Sequence, residues 1–343
     1  MPFQIVRNDI TKVKADVIVN TANPEPLIGD GTDHAVYEAA GAAELLEARS
    51  KIGRIEPGQV AWTRAYGLDA KYIFHAVGPV WCGGDQQEET VLRECYAHAL
   101  ALADQLGCES IAFPLISSGT YGFPRERAMS VALEEVGKFL LNHDLMVILV
   151  VFDRESFGVS SSFFHDIEEF IDEHHVERLL EKEYQEQEEH RRFNGGRSTT
   201  EGRGLQERTR VWKNAAVPEK DQPLDQLLSG QEDTFQQRLL RWIDQKKLND
   251  TDVYKKANID RRLFSKIRCN VNYTPKKKTA LAFAIALELD LASAVDLLAR
   301  AGFALSPSSK FDQIVAYYIV HSIYDIYEIN ASLFAYDQPI LGA

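Results

Sequence analysis

A chain of 343 residues is longer than one typical domain and predicts two. Its 45% hydrophobic content is that of a globular protein, and no apolar run approaches the roughly 18–20 residues of a membrane crossing, so no membrane partner is expected. The net charge is -13, and the four cysteines (Cys82, Cys95, Cys108, Cys269) form no CxxC pair, which argues against a disulfide framework or a zinc cluster; with no signal-peptide layout in MPFQIVRNDI, the expectation is a cytoplasmic protein with reduced thiols.

In chain order, residues 3–6 read as a short strand leading into Asn8, Asp9, Ile10 and Thr11, a stretch that often caps a turn. Residues 17–41, VIVNTANPEPLIGDGTDHAVYEAAG, begin as a strand buried on both faces (Val17, Ile18, Val19) and break into Asn, Pro and Gly turn chemistry. They recover as a helix from about Asp33, with Ala35, Val36, Ala39 and Ala40 on one face and Gly41 as its stop. Strand, glycine-rich loop and helix N-terminus in that order place free backbone N–H groups where an anion can sit. A polar-faced helix over 43–51 and strands over 60–63 and 71–77 follow. A lone histidine on a strand, here His75, is usually a structural group. Residues 89–106 form an amphipathic helix with Leu92, Tyr96, Leu100 and Ala103 on one face.

Residues 110–124, SIAFPLISSGTYGFP, repeat the pattern of a buried strand and then a loop with no side chain larger than Thr before Tyr121, which lets the backbone approach a diphosphate. A helix over 127–141 precedes 146–152, a run too continuously apolar for an edge strand and therefore central. Each loop alone could be an ordinary βα turn; two of this kind argue for a phosphate site.

Five stretches in order carry a resemblance: Asp9-Ile10-Thr11, Val19-Asn20-Thr21-Ala22-Asn23, the loop 29–33, Phe74-His75-Ala76-Val77-Gly78-Pro79, and residues 116–123. Over roughly residues 3–175 the chain resembles the macrodomain family, in its MacroD-type branch of ADP-ribosyl hydrolases. The resemblance implies an α/β fold, a three-layer α/β/α macrodomain with a mixed sheet, acting without metal or cofactor. It implies that Asp9 accepts the adenine amino group and the backbone at Ile10 seats the ring, against the simpler reading of Asp9 as a cap. Asn23 and Asp33, ten residues apart, would face the distal ribose, Asn23 positioning it and Asp33 orienting or helping to activate water. Asp33 can also cap the following helix. Ala22, Gly31, Ser117, Ser118, Gly119, Thr120 and Tyr121 would contact the substrate, and Phe152 would pack on adenine. Asp30 departs from the all-glycine run usual there, and its carboxylate is expected to point outward.

Residues 168–192 read as a charge-rich helix and 194–228 as a linker. The division is a macrodomain over 1–175, a charged helix and linker over 176–230, and a separate all-α domain over 231–343. Within the last, short helices over 251–257, 261–268 and 277–289 loosely resemble an Xre/Cro-type helix-turn-helix, with 261–268 as the recognition helix. Residues 246–278 hold 11 Lys/Arg against 3 Asp/Glu, a local +8 in a chain of -13. Arg261, Arg262, Lys266 and Arg268 are the DNA-binding candidates, with 276–278 near the phosphate backbone; a solvated face or a protein-docking surface would look the same. Residues 310–334 read as one aromatic-rich helix, packed on the helical domain itself or forming a homodimer interface.

The expected function is removal of ADP-ribose from modified protein carboxylates or deacetylation of O-acetyl-ADP-ribose. The alternative is a non-catalytic ADP-ribose sensor coupled to a DNA-binding or protein-interaction domain.

Overall fold

The structure, a computed structural model, describes residues 2–151 and 233–342. Phe152, the helix read over 168–192 and the linker read over 194–228 lie outside the described residues.

Among the described residues, six strands form one sheet: β1 (Phe3–Arg7), β2 (Val17–Thr21), β3 (Val60–Arg64), β4 (Tyr72–Ala76), β5 (Ser110–Pro114) and β6 (Met146–Val151), ordered β1-β6-β5-β2-β4-β3. Neighbours run parallel except β3, which is antiparallel to β4. β6 therefore lies between β1 and β5, the central place its apolar run requires. Side chains alternate across the pleat: Val17 and Val19 enter one core and Ile18 the other. The first core packs Leu92, Tyr96 and Leu100 of α3 (Glu88–Gln105) and Val136 of α4 (Arg125–Leu140) onto the sheet. The second packs Val36 and Tyr37 of α1 (Thr32–Ala40) and Leu45 of α2 (Ala42–Ile52) onto the other face. Each such fully buried Leu, Ile or Val contributes about 1.5–3 kcal/mol, and the result is the expected three-layer α/β/α fold. Because β2 and β5 are parallel neighbours, the loops that follow them emerge side by side at the carboxyl end of the sheet.

The C-terminal helices are α5 (Phe235–Gln245), α6 (Asp250–Lys256), α7 (Arg261–Cys269), α8 (Lys277–Ala286), α9 (Leu291–Arg300), α10 (Lys310–Val320) and α11 (Ile326–Ala335). They surround α8, in which every residue from Thr279 to Ala286 is buried. Residues 310–334 are two helices rather than one, because Asp325 caps α11 by accepting from the Tyr327 and Glu328 amides. Phe311, Tyr317, Tyr318 and Tyr327 of this segment are buried within the chain, and Tyr324 and Phe334 are half-buried.

The core of the helical part is continuous with the first core of the sheet, and its helices pack against the free edge of β1. Asn258, in the turn between α6 and α7, accepts from the Phe3 amide (3.0 Å) and donates to the Phe3 carbonyl (3.1 Å). Its left-handed backbone (φ 52°) is a conformation that Asn tolerates better than most residues. Tyr327 of α11 meets the Phe3 ring edge-on at 5.3 Å and lies against Gly137 of α4, where a Cβ would come within 3.2 Å of the tyrosine ring. Arg7 joins Asp337 (3.4 Å) and stacks on Phe334.

Candidate active site

The cleft lies where the loop after β2 faces the loop after β5, with a volume of about 440 Å³. Of the residues read from the sequence, it brings together Ala22, Asn23, Gly31, Ser117, Ser118, Gly119, Thr120 and Tyr121 in one wall. The second loop turns on Ser117, whose φ is +63°, and closes with the Phe123 amide donating to the Ser117 carbonyl (3.0 Å). Gly78 makes room for it, since a Cβ there would lie 2.1 Å from Ser117 Oγ.

The Asn23 amide is held from two sides, donating to the Leu27 carbonyl (3.1 Å) and accepting from the Tyr121 hydroxyl (3.1 Å). The two loops are thereby joined at the residues expected to face the distal ribose. Asp33, in the first turn of α1, points inward and is only 2% exposed. One carboxylate oxygen accepts from the Gly29 amide and the other from Asn20 Nδ2, each at 2.6 Å. Gly29 separates the pair: a Cβ there would lie 2.7 Å from Asn23 Nδ2 and 3.3 Å from Asp33 Oδ2. Asp33 does not itself line the cleft; it is packed behind the loop that does. Asp30 lines the rim and is exposed, as its charge beside a phosphate requires.

Asp9 and Ile10 stand apart from the cleft wall. Asp9 caps the short turn Ile10–Lys12, accepting from the Thr11 amide (2.9 Å) and hydroxyl (2.8 Å), so its capping role is realised. Ile10 is buried in the core beside Val36.

Beneath the cleft lies a buried polar layer. Thr63 Oγ1 and His75 Nε2 are 3.0 Å apart, His75 Nδ1 is 3.4 Å from Asn20 Nδ2, and Asn20 reaches Asp33. Burial, with the Arg49 charge adding to it, pushes the His75 pKa down to about 3, so the ring is neutral at pH 7. Burial also raises the Asp33 pKa, against the opposing effects of the Gly29 amide, Asn20, Arg49 and His34. Burial and the Asp33 charge raise the Tyr121 pKa, keeping its hydroxyl a donor. Among the described residues no group of three His, Cys, Asp or Glu side chains is placed to hold a metal ion.

Sequence reading missed Asn20, Arg49 and Gly29 as contributors to the site. Arg49 follows Leu45 by four residues on α2, and both are buried. That apolar-face spacing was the available signal on a helix read only as polar-faced.

A mixed six-stranded sheet whose carboxyl end carries an Asn/Asp pair opposite a small-residue loop defines a nucleotide-diphosphate type of cleft. Comparison with known proteins agrees: the Macro domain family model matches residues 19–132. A Macro domain-containing protein of Methanosarcina mazei is 43% identical over 156 residues, covering 45% of this chain and 83% of that one. The O-acetyl-ADP-ribose deacetylase of Escherichia coli K12 is 42% identical over 159 residues, covering 45% of this chain and 90% of that one. The chain belongs to the Macro domain family. Among solved structures, the Oceanobacillus iheyensis macrodomain with ADP is 38% identical, with a TM-score of 0.43 over 44% of this chain and 84% of that one.

Proposed function

We propose that the protein is an ADP-ribosyl hydrolase, removing ADP-ribose from modified protein carboxylates or deacetylating O-acetyl-ADP-ribose. The observation that carries this reading is the meeting of Asn23 and Asp33 across Gly29, with Tyr121 bridging to the opposite loop. The kinship to proteins named O-acetyl-ADP-ribose deacetylase supports it. Hydrolysis splits the ester into a carboxylate and a ribose hydroxyl, the water supplying one oxygen and two protons. Asn23 and Tyr121 orient the distal ribose, and the loop 117–121 cradles the diphosphate. Asp33 fixes the Gly29 amide and Asn20, so its role is to set the geometry in which water meets the ester.

The test is turnover of O-acetyl-ADP-ribose and of ADP-ribosylated protein. Asn23→Ala and Asp33→Ala should each lower kcat by roughly two orders of magnitude. Full activity in Asp33→Ala would remove it from the mechanism. Micromolar binding of ADP-ribose (about -8 kcal/mol) without turnover in the wild type would make the protein a sensor instead.

For the helical part we propose a helix-turn-helix that contacts DNA. The supporting observation is α7, which anchors itself through buried Phe264 and Ile267 and turns Arg261, Arg262 and Lys266 to solvent. Arg268 belongs to this face less fully, since Asp250 holds it at 2.6 Å.

A further inference from the structure

Arg49 is among the largest fully buried side chains of the described residues, 1% exposed, on the inner face of α2. An arginine in such a place is costly unless its charge and its donors are both answered. Its hydrogen-bond partners among the described residues are all carbonyls: Gly53 at the end of its own helix, Asn23 (3.1 Å) and Pro24 (2.9 Å). The last two are the backbone of the cleft loop, at the residue whose amide faces Tyr121. Nη2 donates to both loop carbonyls while Nη1 donates to the Gly53 carbonyl, so the guanidinium fork ties the cleft loop to the end of α2, a span that a single ammonium reproduces poorly. Its charge is answered at longer range. The groups that favour its ionised form are Tyr37 and Asp33 on α1 and Glu25 in the loop, and His75 on β4 is held neutral partly by it.

We infer that Arg49 is a positioning residue of the hydrolytic site, clamping the Asn23–Pro24 backbone to the end of α2 and placing a buried positive charge beneath the loop that Asp33 supports. The inference rests on the hydrolase reading, and it divides into two separable parts. The clamp depends on the shape of the guanidinium and acts on Asn23. The charge acts on Asp33, whose immediate neighbours are the Gly29 amide, Asn20, His34, Tyr37 and Tyr121. Of these only His34 could add positive charge, and it lies on the exposed side of α1.

Two variants separate the parts. Arg49→Lys keeps the charge and loses the fork, so kcat should fall about tenfold with the acid limb of its pH profile unmoved. Arg49→Gln loses both, so kcat should fall further and the acid limb should rise by about one pH unit. In both, the KM for substrate should change less than about threefold, because neither lines the cleft. Wild-type kcat and pH profile in either folded variant, with only thermal stability reduced, would overturn the proposal. A readout independent of turnover guards against failure of the hydrolase reading or of folding. In the wild-type protein, NMR of the Arg49 guanidinium should show a titration with the same midpoint as the Asp33 carboxyl carbon. Guanidinium resonances that ignore the Asp33 titration would equally overturn it.

Discussion

His75 shows how a residue can matter to the site without touching a substrate. Its ring is buried between Thr63 and Asn20 and stays neutral. Its folded pKa lies below the ordinary 6.5, so the stability it contributes is full above pH 6.5 and is lost as the pH falls toward about 3. Urea melts across that window should show wild-type stability declining by up to roughly 1.4 kcal/mol per pH unit from this group. His75→Gln, which keeps a donor and an acceptor, should flatten the decline most clearly between pH 6.5 and 5, where few carboxylates titrate. Equal slopes in both proteins would mean that His75 is not buried neutral. The macrodomain resemblance pointed to Asn23 and Asp33, which sit in one loop-to-helix segment. Sequence spacing could not disclose Asn20, Arg49 or His75 as a layer, because their partnership exists only after β2, β4 and α2 stack.

At the scale of elements, the strands were legible and the breaks were less so. The run 146–152 announced a central strand by its unbroken apolar character, and β6 is flanked by β1 and β5. The division between α10 and α11 carries neither Gly nor Pro; Ser322 takes a left-handed turn (φ 58°) and Asp325 caps the next helix. The Asp325-x-x-Glu328 pattern was the overlooked signal. Least legible was the cover on β1, which includes a side-chain amide 255 residues away. Asn258→Ala should leave the Phe3 amide and carbonyl without those partners and force alanine into a left-handed turn, costing roughly 2–4 kcal/mol. Asn258→Gly, which relieves the turn but restores no hydrogen bond, should recover about 1 kcal/mol of that. Denaturant unfolding of the two variants measures both; equal stability of wild type and Asn258→Ala would show that the contact contributes nothing.

The whole molecule divides its charge. It carries -13 overall, yet residues 246–278 hold 11 Lys/Arg against 3 Asp/Glu, and Arg261, Arg262, Lys266 and Lys276 are exposed on α7 and the turn leading into α8. By helical phase Arg262 and Lys266 share one strip of α7, and Arg261 and Arg268 the next. The expected phosphate contacts at 276–278 are reduced to two, because Lys277 is taken inward by Asp312 at 2.5 Å. If the face meets DNA, the logarithm of affinity should fall with that of salt by about 0.9 per phosphate neutralised. Replacing Lys276 and Lys278 together should therefore lower the slope by about 1.8, while changing Arg262 or Lys266 should also alter sequence preference. Full-length protein titrated with duplex fragments at several salt concentrations decides this. Binding insensitive to salt and to all these changes would leave the helices a protein-interaction surface.

The amide that covers β1 also sets a clock. Phe3 and Asn258 are 255 positions apart, so a ribosome adding roughly 5–20 residues each second needs about 13–50 s to make one after the other. From the completion of β6 until Asn258 appears, the outer edge of the nascent sheet has its own N–H and C=O groups open to any passing strand. The hydrolytic half can collect its helices and its cleft loops early, but its border is sealed only by the last part of the chain to appear. Nascent chains crowded on one message would therefore meet while each still presents the same unpaired strand, a hazard that the final stability does not remove.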